Sequence, residues 1–395
     1  MMLPATDAIQ LPPAIRVSNP ESQVSSPNVV CVDSLDVFTE LRLPWNELLR
    51  ASAADSPFLT WEWLHAWWTH LRGSAGLRLL AVRAGDELLA IAPLHMSRGT
   101  LGFSRLDFLG TGHAGSDYLD LIVRRGSERE SIRAIGGYLQ SQKLALRLDH
   151  VSTDSFASSL AQYLAGQGWT ASSLPGGVCP FIRLAGHSWD SYLATLGSSH
   201  RANVRRRLKG LAQRFDMRFE RVRTDSERRE ALAALVAYHA ARWRDGRRST
   251  TFHTPPLRAF HDDATRRALE VGWLRLYTLR LDGAIAAVMY AFHYGDRFYF
   301  YQHGFDDRYA PHSIGLVVMA FTIRAAIEEG AAEFDMLWGV EPYKFLWAHE
   351  QRFLRQIHLF PTHIGGRLHH KAVVARRGLR RLVRRVLSTG DPCAA

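Results

Sequence analysis

The stretch LRLYTLRLDGAIAAVMYAFHYGDRFYFYQH, residues 274–303, decides the fold because it holds three apolar runs separated by two tight turns. Runs of this length are typical of strands, and two-residue turns of Gly and Asp join antiparallel neighbours. The stretch therefore predicts a three-stranded antiparallel meander. The expected strands are residues 274–280, 284–292 and 297–303, joined by Asp282-Gly283 and Gly295-Asp296.

The segment after the meander predicts a helix followed by two more strands. A loop over residues 304–312 leads into a helix from Ser313 to Glu329, which Gly330 ends as its C-cap. Strands are expected at 334–337 and 354–360, with a polar and aromatic loop between them.

Three helices are predicted upstream of the meander. The first, at about 188–214, carries a run of basic residues beside an apolar stripe. The second follows Thr224, whose spacing from Glu227 fits a capping box, and the third opens at Pro255 and ends near Glu270.

The first half of the chain repeats this order in outline. A Trp-rich helix that starts after Thr60 precedes a hairpin turning at Gly85-Asp86, and this hairpin resembles the one around Asp282-Gly283. The likeness indicates an internal duplication, with its seam at residues 174–177.

Length and composition favour two globular domains. A chain of 395 residues with 47% hydrophobic content exceeds what one core usually supports. The first 30 residues lack a basic region followed by an apolar core, so we expect a flexible leader instead of a signal peptide. The three cysteines, Cys31, Cys179 and Cys393, are odd in number and far apart, which fits neither a disulfide framework nor a zinc site and favours a reducing compartment.

The charge of +11 lies in the second half. Residues 1–185 carry 15 basic and 17 acidic side chains, whereas residues 186–395 carry 34 and 21. Two acid-free runs, at 201–214 and 367–385, account for the excess. Such runs attract polyanions, although most are simply solvated helix faces.

The start of the Ser313 helix is the first candidate site. The first turn of a helix has unpaired N–H groups and a positive dipole end, and Gly315 would let a phosphate approach the backbone. The alternative is that Ser313 is a simple N-cap.

The loop between the last two strands is the second candidate. It places Asp335 at a strand end and the pair Tyr343-Lys344 after a Gly and a Pro, so that a carboxylate, a phenol and an ammonium lie within reach of one another. The alternative is a well-packed loop with Lys344 in solvent.

These residues carry a resemblance to a known family. Residues from about 185 to 360 resemble the GNAT-type acyltransferase domain of the CelD-like group, associated with bacterial exopolysaccharide and cellulose synthesis. Segments of the first half also resemble it, so the likeness covers about 30–360. The matching positions are Pro57 to Trp63, Ala92-Pro93-Leu94, Ser116-Asp117-Tyr118, Ser199, Arg201, Arg205, Arg206, Tyr299 to Tyr301, Gly304 to Asp306, Tyr309, Ser313, Gly315, Gly330, Asp335, Gly339, Tyr343, Lys344 and Trp347.

The resemblance implies an α/β (α+β) fold of two tandem GNAT-like domains, as in FemAB-like peptidyltransferases, each with a mixed, mostly antiparallel sheet flanked by helices. The expected divisions are a leader at 1–30, domains at 31–178 and 185–365, and a basic amphipathic tail at 366–395. The family's acetyl-CoA signature is represented only by the stretch from Tyr309 to Gly315.

The resemblance also implies acyl transfer, expected to be of an acetyl group, from acyl-CoA to an amine of a small molecule or amino sugar. We expect no metal, since His369-His370 and the other histidines show no ligand spacing with carboxylates. Asp335 or His303 would accept the proton, Tyr343 would protonate the thiolate and Lys344 would hold an anionic group. The donor-binding residues would be Tyr301, Tyr309, His312, Ser313, Ile314 and Gly315. The acceptor-binding residues would be Asp117, Tyr118, Arg201, Arg205 and Glu341.

Two other interpretations remain open. A FemAB-like ligase that uses aminoacyl-tRNA would share the fold, and its basic helix at 201–214 would meet tRNA phosphates. A non-catalytic accessory protein would bind an anionic polymer or a membrane surface through the tail, where Leu379, Leu382, Val383, Val386 and Leu387 lie opposite arginines. We expect the chain in the cytoplasm or at the inner membrane surface, and we expect nucleic-acid binding only in the ligase interpretation.

Overall fold

The computed structural model describes residues 26–98, 102–242 and 251–388, and it confirms the mixed α/β class. Thirteen strands form one continuous sheet with helices on both faces. Most of the expected leader, as well as Cys393, lies outside the described residues.

The strands include the predicted meander and the strands on either side of it. They are β1 (Asn28–Val32), β2 (Gly76–Ala84), β3 (Glu87–Arg98), β4 (Ser104–Phe108), β5 (Ile122–Val123), β6 (Ala145–Ser152), β7 (Thr170–Arg183), β8 (Met217–Arg221), β9 (Leu274–Leu281), β10 (Ala284–Tyr294), β11 (Arg297–Phe305), β12 (Glu333–Asp335) and β13 (Glu350–Phe360).

The helices begin at the predicted caps in several cases. Thr224 and Glu227 form the reciprocal bonds of a capping box, and Pro255 occupies the first turn of its helix. The helices are α1 (Leu35–Glu40), α2 (Arg42–Arg50), α3 (Trp61–Leu71), α4 (Glu128–Gln142), α5 (Phe156–Gly166), α6 (Trp189–Thr195), α7 (Ser198–Ala212), α8 (Asp225–Arg242), α9 (Pro255–Glu270), α10 (Ile314–Glu328) and α11 (Ile364–Ser388).

The strand order shows the internal repeat. The sheet runs β1-β2-β3-β4-β6-β13-β7-β12-β11-β10-β9-β8. In the first half an antiparallel meander (β2, β3, β4) is followed by α4 and a parallel strand, β6, and in the second half β9, β10 and β11 are followed by α10 and the parallel strand β12. The two halves are therefore built on the same plan.

The last strand of each half pairs with the other half. β7 follows β6 in the chain but pairs with β12, whereas β13 follows β12 but pairs with β6, and β7 and β13 pair with each other at the centre. The backbone hydrogen bonds of both halves thus belong to one sheet. The division into domains at 31–178 and 185–365 stays a prediction.

The expected seam at residues 174–177 lies inside β7. It forms a bulge there, because Gly177 pairs with Leu354 and Pro175 with Arg355, which leaves Gly176 as the extra residue. A Cβ on Gly176 would lie 2.8 Å from the backbone carbon of Arg355, so only glycine fits this close approach. The expected seam therefore does not interrupt the strand, which runs from Thr170 to Arg183.

The two faces of the sheet carry two cores. One core joins the first half to α8 and α9 and contains the predicted tryptophans of α3, of which Trp63 is fully buried. The Trp63 indole donates to Ser116 Oγ at 2.8 Å, and the Trp67 indole donates to Thr111 O at 3.0 Å, so buried polar groups are satisfied and the 111–116 loop is anchored. The other core packs α6, α7 and α10 on the second half.

Candidate active site

The parallel strands β11 and β12 separate at the level of Tyr299 and Asp335. They pair from Arg297 to Tyr299 with Glu333 to Asp335, after which β12 ends and β11 continues to Phe305 beside β10. The sheet therefore opens at the carboxyl ends of β11 and β12, which are the only parallel pair among the described strands of the second half. Such openings are common ligand sites in sheets with parallel strands.

A bulge in β11 redirects the side chains beyond this point. Tyr290 pairs with Gln302 and Ala291 with Phe300, which leaves Tyr301 as the extra residue. In a regular strand, residues 300 and 303 would face opposite sides of the sheet. Because of the bulge they share a face, and the rings of Phe300 and His303 lie 5.5 Å apart.

The start of α10 lies beside His303 and has the features expected of an anion site. Ser313 is left-handed (φ +57°) and its hydroxyl does not cap the helix, so the simple N-cap alternative does not describe it. In the described part of the chain, the N–H groups of Ile314 and Gly315 have no acceptor, and the first turn holds no acidic residue. A Cβ on Gly315 would lie 3.2 Å from the Phe305 ring and 4.0 Å from His303 Nε2.

Tyr343 approaches the same place from the loop after β12. Its ring lies edge-on to that of His303, with 5.8 Å between the centroids. The structure therefore brings three of the predicted residues together: His303, Tyr343 and Gly315. A basic group and a phenol lie next to an open helix start, as proton transfer beside a bound thioester requires.

Lys344 is buried and holds the loop in shape. Its ammonium donates to Trp338 O at 2.9 Å and Leu337 O at 3.3 Å, and Glu341 Oε2 lies 3.2 Å away. Gly339 has a φ of +142°, a backbone conformation that favours glycine. The alternative that placed Lys344 in solvent therefore does not describe it, and the contacts of both Lys344 and Glu341 are made with the loop itself.

Asp335 points to the opposite face of the sheet. The neighbouring Phe334 stacks on Phe298 on the α10 side, with 5.2 Å between centroids, so Asp335 faces the first half. Its Oδ2 accepts from the Tyr118 hydroxyl at 2.6 Å and from Arg352 Nη1 at 3.2 Å. Burial raises the pKa of Asp335 to about 6, although these hydrogen bonds and the Arg352 charge oppose the rise.

Asp117 and Tyr118 tie the two halves together. Asp117 accepts from Trp338 N at 2.7 Å and contacts His150 Nδ1 at 3.0 Å. Burial is the largest single influence on the pKa of His150 and would lower it, but the hydrogen bond to Asp117 and the charges of Asp117 and Asp149 together outweigh burial and raise that pKa. Burial and the Asp335 charge raise the pKa of Tyr118 well above its usual value, so this phenol stays protonated.

The other predicted site residues are dispersed around α10 or lie in the core. The Tyr301 hydroxyl donates to Ala114 O in the core between the halves. The rings of Tyr309 and His312 flank Phe215, at 5.8 and 5.3 Å. Arg201 Nη1 donates to Ala194 O at 2.9 Å, and Arg205 is exposed on α7.

Two contacting residues were not predicted. Arg207 Nη1 donates to Pro311 O at 3.2 Å and so joins the basic helix α7 to the segment before α10. Arg352 binds Glu333 and Asp335 and lies over the Phe181 ring, 3.9 Å from its centroid. Arg207 is one of several arginines in a basic run, and the sequence does not show which of them contacts the segment before α10. Arg352 lies in a strand that contains no motif, so the sequence did not mark it as a site residue.

Two properties bound the chemistry. Among the described residues, no group of three or more His, Cys, Asp or Glu side chains is arranged to hold a metal ion. No described helix is both long and apolar enough to cross a membrane.

The comparisons with known proteins agree with this geometry. A family model described as an acetyltransferase (GNAT) domain matches residues 198–345. FemX has a similar structure, with a TM-score of 0.58 at 12% identity over 80% of this chain and 95% of its own. The C-terminal domain of a putative lysylphosphatidylglycerol synthetase from Agrobacterium fabrum gives a TM-score of 0.52 at 11% identity, over 81% of this chain and 92% of that one.

A further solved structure, L-PGS from Bacillus licheniformis, gives a TM-score of 0.51 at 12% identity over 87% of this chain and 95% of its own. No curated protein sequence matches significantly. At these identities the structural likenesses show the fold alone. Because the two halves are built on the same plan, that fold consists of two GNAT-like units in tandem. The match at residues 198–345 adds that this part of the chain is similar to the GNAT acetyltransferase family.

Proposed function

We propose that the protein transfers an acyl group, expected to be acetyl, from acyl-CoA to an amine, at the site formed by α10, His303 and Tyr343. One observation supports this most: the acid-free start of α10, with the unpaired N–H groups of Ile314 and Gly315, lies directly beside a histidine and a tyrosine. An anionic carrier group and proton-transferring side chains thus have places next to each other.

In this mechanism the acyl-CoA supplies the activated carbonyl. The N–H groups of Ile314 and Gly315 bind the anionic part of the donor, and Tyr309 and His312 lie on the approach to them. His303 accepts a proton from the attacking amine as the C–N bond forms and the C–S bond breaks, and Tyr343 protonates the departing thiolate. Lys344 acts as a positioning residue, because its ammonium holds the loop that carries Tyr343.

Asp335 has a separate role in this proposal. It lies on the other face and holds Tyr118 and Arg352, so it would shape the acceptor side of the opening together with Asp117 and Tyr118. Arg201, Arg205 and Glu341 remain candidate acceptor contacts. Amino sugars are the first acceptors to test, given the resemblance to proteins associated with exopolysaccharide synthesis.

A thiol-release assay tests the proposal. Acetyl-CoA and longer acyl-CoAs are offered with amino sugars and simple amines, and free CoA is measured. We expect turnover with at least one pair and its loss in His303→Gln and Tyr343→Phe. Unchanged turnover in Tyr343→Phe, Lys344→Ala and Asp335→Asn together would reject the site.

An aminoacyl-tRNA donor is the second candidate, and one contact favours it. Arg207 joins the exposed basic face of α7, which includes Arg205 and Arg206, to the segment before α10. A polyanion bound along α7 would thus end at the helix start. The assay repeated with aminoacyl-tRNA in place of acyl-CoA decides between the donors, and binding that weakens steeply with salt would support the tRNA.

Membrane contact through the tail, which would place the protein at the inner membrane surface, is a further proposal. Residues Ile364–Ser388 form the expected helix, α11, and its described first turns expose Ile364, Leu368 and Lys371. The structure describes the helical backbone at 377–388 but not the apolar and basic side chains there on which the prediction rested. Deleting residues 367–395 and measuring binding to anionic vesicles tests it.

A further inference from the structure

A cavity of about 230 Å³ lies between the two halves, on the face of the sheet opposite α10. Arg297 and Tyr299 of β11 and Arg352 of β13 form its wall on the sheet. Residues 53–56, 118–120, 152, 154 and 155 of the first half form the rest. The cavity therefore exists only where the halves meet.

The basic side of this cavity contains a loosely paired charge. Arg297 Nε lies 3.8 Å from a carboxylate oxygen of Asp296 and 3.8 Å from one of Glu333, both beyond hydrogen-bond distance, and its side chain is 45% exposed. Arg352, by contrast, is engaged with Glu333 and Asp335. Apart from its contact with the Tyr299 hydroxyl, Arg297 is thus the cation available to a ligand carboxylate.

The acidic side of the cavity is supplied by the first half. Asp55 lines it and accepts from the Tyr294 hydroxyl at 2.7 Å through Oδ1, while its Oδ2 has no hydrogen-bond donor among the described residues. Burial raises the pKa of Asp55 although Arg125, Arg50 and Arg297 oppose the rise, so a further cation nearby would stabilise its ionised form. Asp154 is exposed at the same cavity and pairs with no described basic side chain.

We propose that this cavity binds a free α-amino acid, with the ligand carboxylate on Arg297 and the ligand ammonium on Asp55 and Asp154. The two signs of charge on opposite sides match a small zwitterion. The volume lies below the roughly 300–1,000 Å³ of pockets for drug-sized ligands, which fits a molecule of this size. This cavity lies on the other face of the sheet from the donor site beside α10, and Tyr118, a proposed acceptor contact, lines it.

Other small ligands fit the cavity less well. A phosphate or other dianion would meet Asp55 and Asp154 as well as Arg297, and an apolar molecule would leave these charged groups without water or partners. Ser56 and Ser152 also line the cavity, and a serine hydroxyl can either donate or accept a hydrogen bond.

Calorimetric titration of the full chain with free amino acids, acetate and methylamine tests the proposal. We expect at least one amino acid to bind about tenfold or more tightly than either acetate or methylamine, because only the zwitterion uses both sides of the cavity. Arg297→Gln and Asp55→Asn should each weaken that binding by about tenfold or more. Arg324→Gln, an exposed arginine on α10, serves as the matched control and should bind like the wild type.

Thermal melting shows whether each variant is folded. If Arg297→Gln fails to fold, Asp55→Asn still tests the proposal, because its amide oxygen can accept the hydrogen bond from the Tyr294 hydroxyl. The proposal is overturned if no amino acid binds to the folded wild type, if acetate or methylamine binds as tightly as the amino acid, or if both folded variants bind normally. Acyl transfer can succeed or fail independently of this result, because no acyl-CoA is present.

Discussion

The ends of the two parallel strand pairs differ although the halves share one plan. In the first half the last pair joins Asp107 to Arg147, and these side chains bind each other, with Arg147 Nε and Arg105 Nε each 3.0 Å from Asp107 Oδ1. In the second half the last pair joins Tyr299 to Asp335, and Asp335 binds Tyr118 of the first half instead. The first opening is closed by its own ion pairs.

The helices that follow the meanders differ in the same way. The first turn of α4 contains Glu128 and Glu130, and both oxygens of the Glu128 carboxylate lie 3.0 Å from the N–H of Gly126, so an acid already occupies the helix start. The first turn of α10 contains no acid. The duplication therefore offers two helix starts, and of the two only the second has a first turn without an acid, which favours an external anion there.

The largest effect should follow from removing the proton-transferring groups of the second half. We expect His303→Gln and Tyr343→Phe each to lower kcat by about 10²- to 10⁴-fold, because each removes general acid–base assistance. His113→Gln, an exposed histidine of the first half, is the control and should leave kcat unchanged. Steady-state thiol release measures the three variants, and equal kcat values for all of them would contradict the assignment.

Placing an acid at the start of α10 should make it resemble α4. Gly315→Asp puts a carboxylate among the N–H groups and a Cβ against Phe305, so we expect CoA to bind about ten- to a hundredfold more weakly. Gly137→Asp adds the same side chain to an open position of α4 and should not alter CoA binding. Calorimetry with CoA measures both, and undiminished affinity in Gly315→Asp would place the donor elsewhere.

The buried Asp335 should make stability depend on pH. Its pKa is about 6 in the folded chain against 3.8 as the ordinary value, so between these pH values the folded state holds a proton that the unfolded state has released. The free energy of unfolding of the wild type, relative to Asp335→Asn, should thus fall by about 1–3 kcal/mol as the pH rises from 4 to 6. Urea titrations at several pH values measure this difference, with the exposed Asp307→Asn as the control. A flat or rising difference would refute the burial argument.

The smallest effect should come from the first half. Glu128→Gln removes a charge that favours the start of α4, so we expect a loss of about 0.3–1 kcal/mol in the free energy of unfolding. CoA affinity should stay as in the wild type, since that helix start has no part in donor binding. A clear gain in CoA binding by Glu128→Gln would show instead that both halves can hold the donor.

Local features of the fold could be predicted from the sequence. The meander of β9, β10 and β11 was confirmed because its turns and apolar runs are encoded within 30 residues, and Gly330 adopts the left-handed conformation (φ +76°) of a helix end. The repeat was visible because each half encodes the same local order. The likeness of the two hairpins thus predicted a likeness of the two sheets.

Features that join distant residues could not be predicted in this way. The exchange of β7 and β13 depends on which edge each strand meets, and an apolar pattern does not specify the neighbour. The contact of Tyr118 with Asp335 spans 217 residues, and it places Asp335 on the other face from His303. The sequence could not show that the Lys344 ammonium is bound within its own loop. Its acceptors are backbone carbonyl groups, which every residue has, so no residue type marks them.

The structure of the protein crystallised with a non-hydrolysable acyl-CoA analogue tests the central claim most directly. We predict that the pyrophosphate lies on the N–H groups of Ile314 and Gly315, with the acyl end next to His303 and Tyr343. A pyrophosphate bound at α4, or at α10 with the acyl end directed away from His303, would contradict the account.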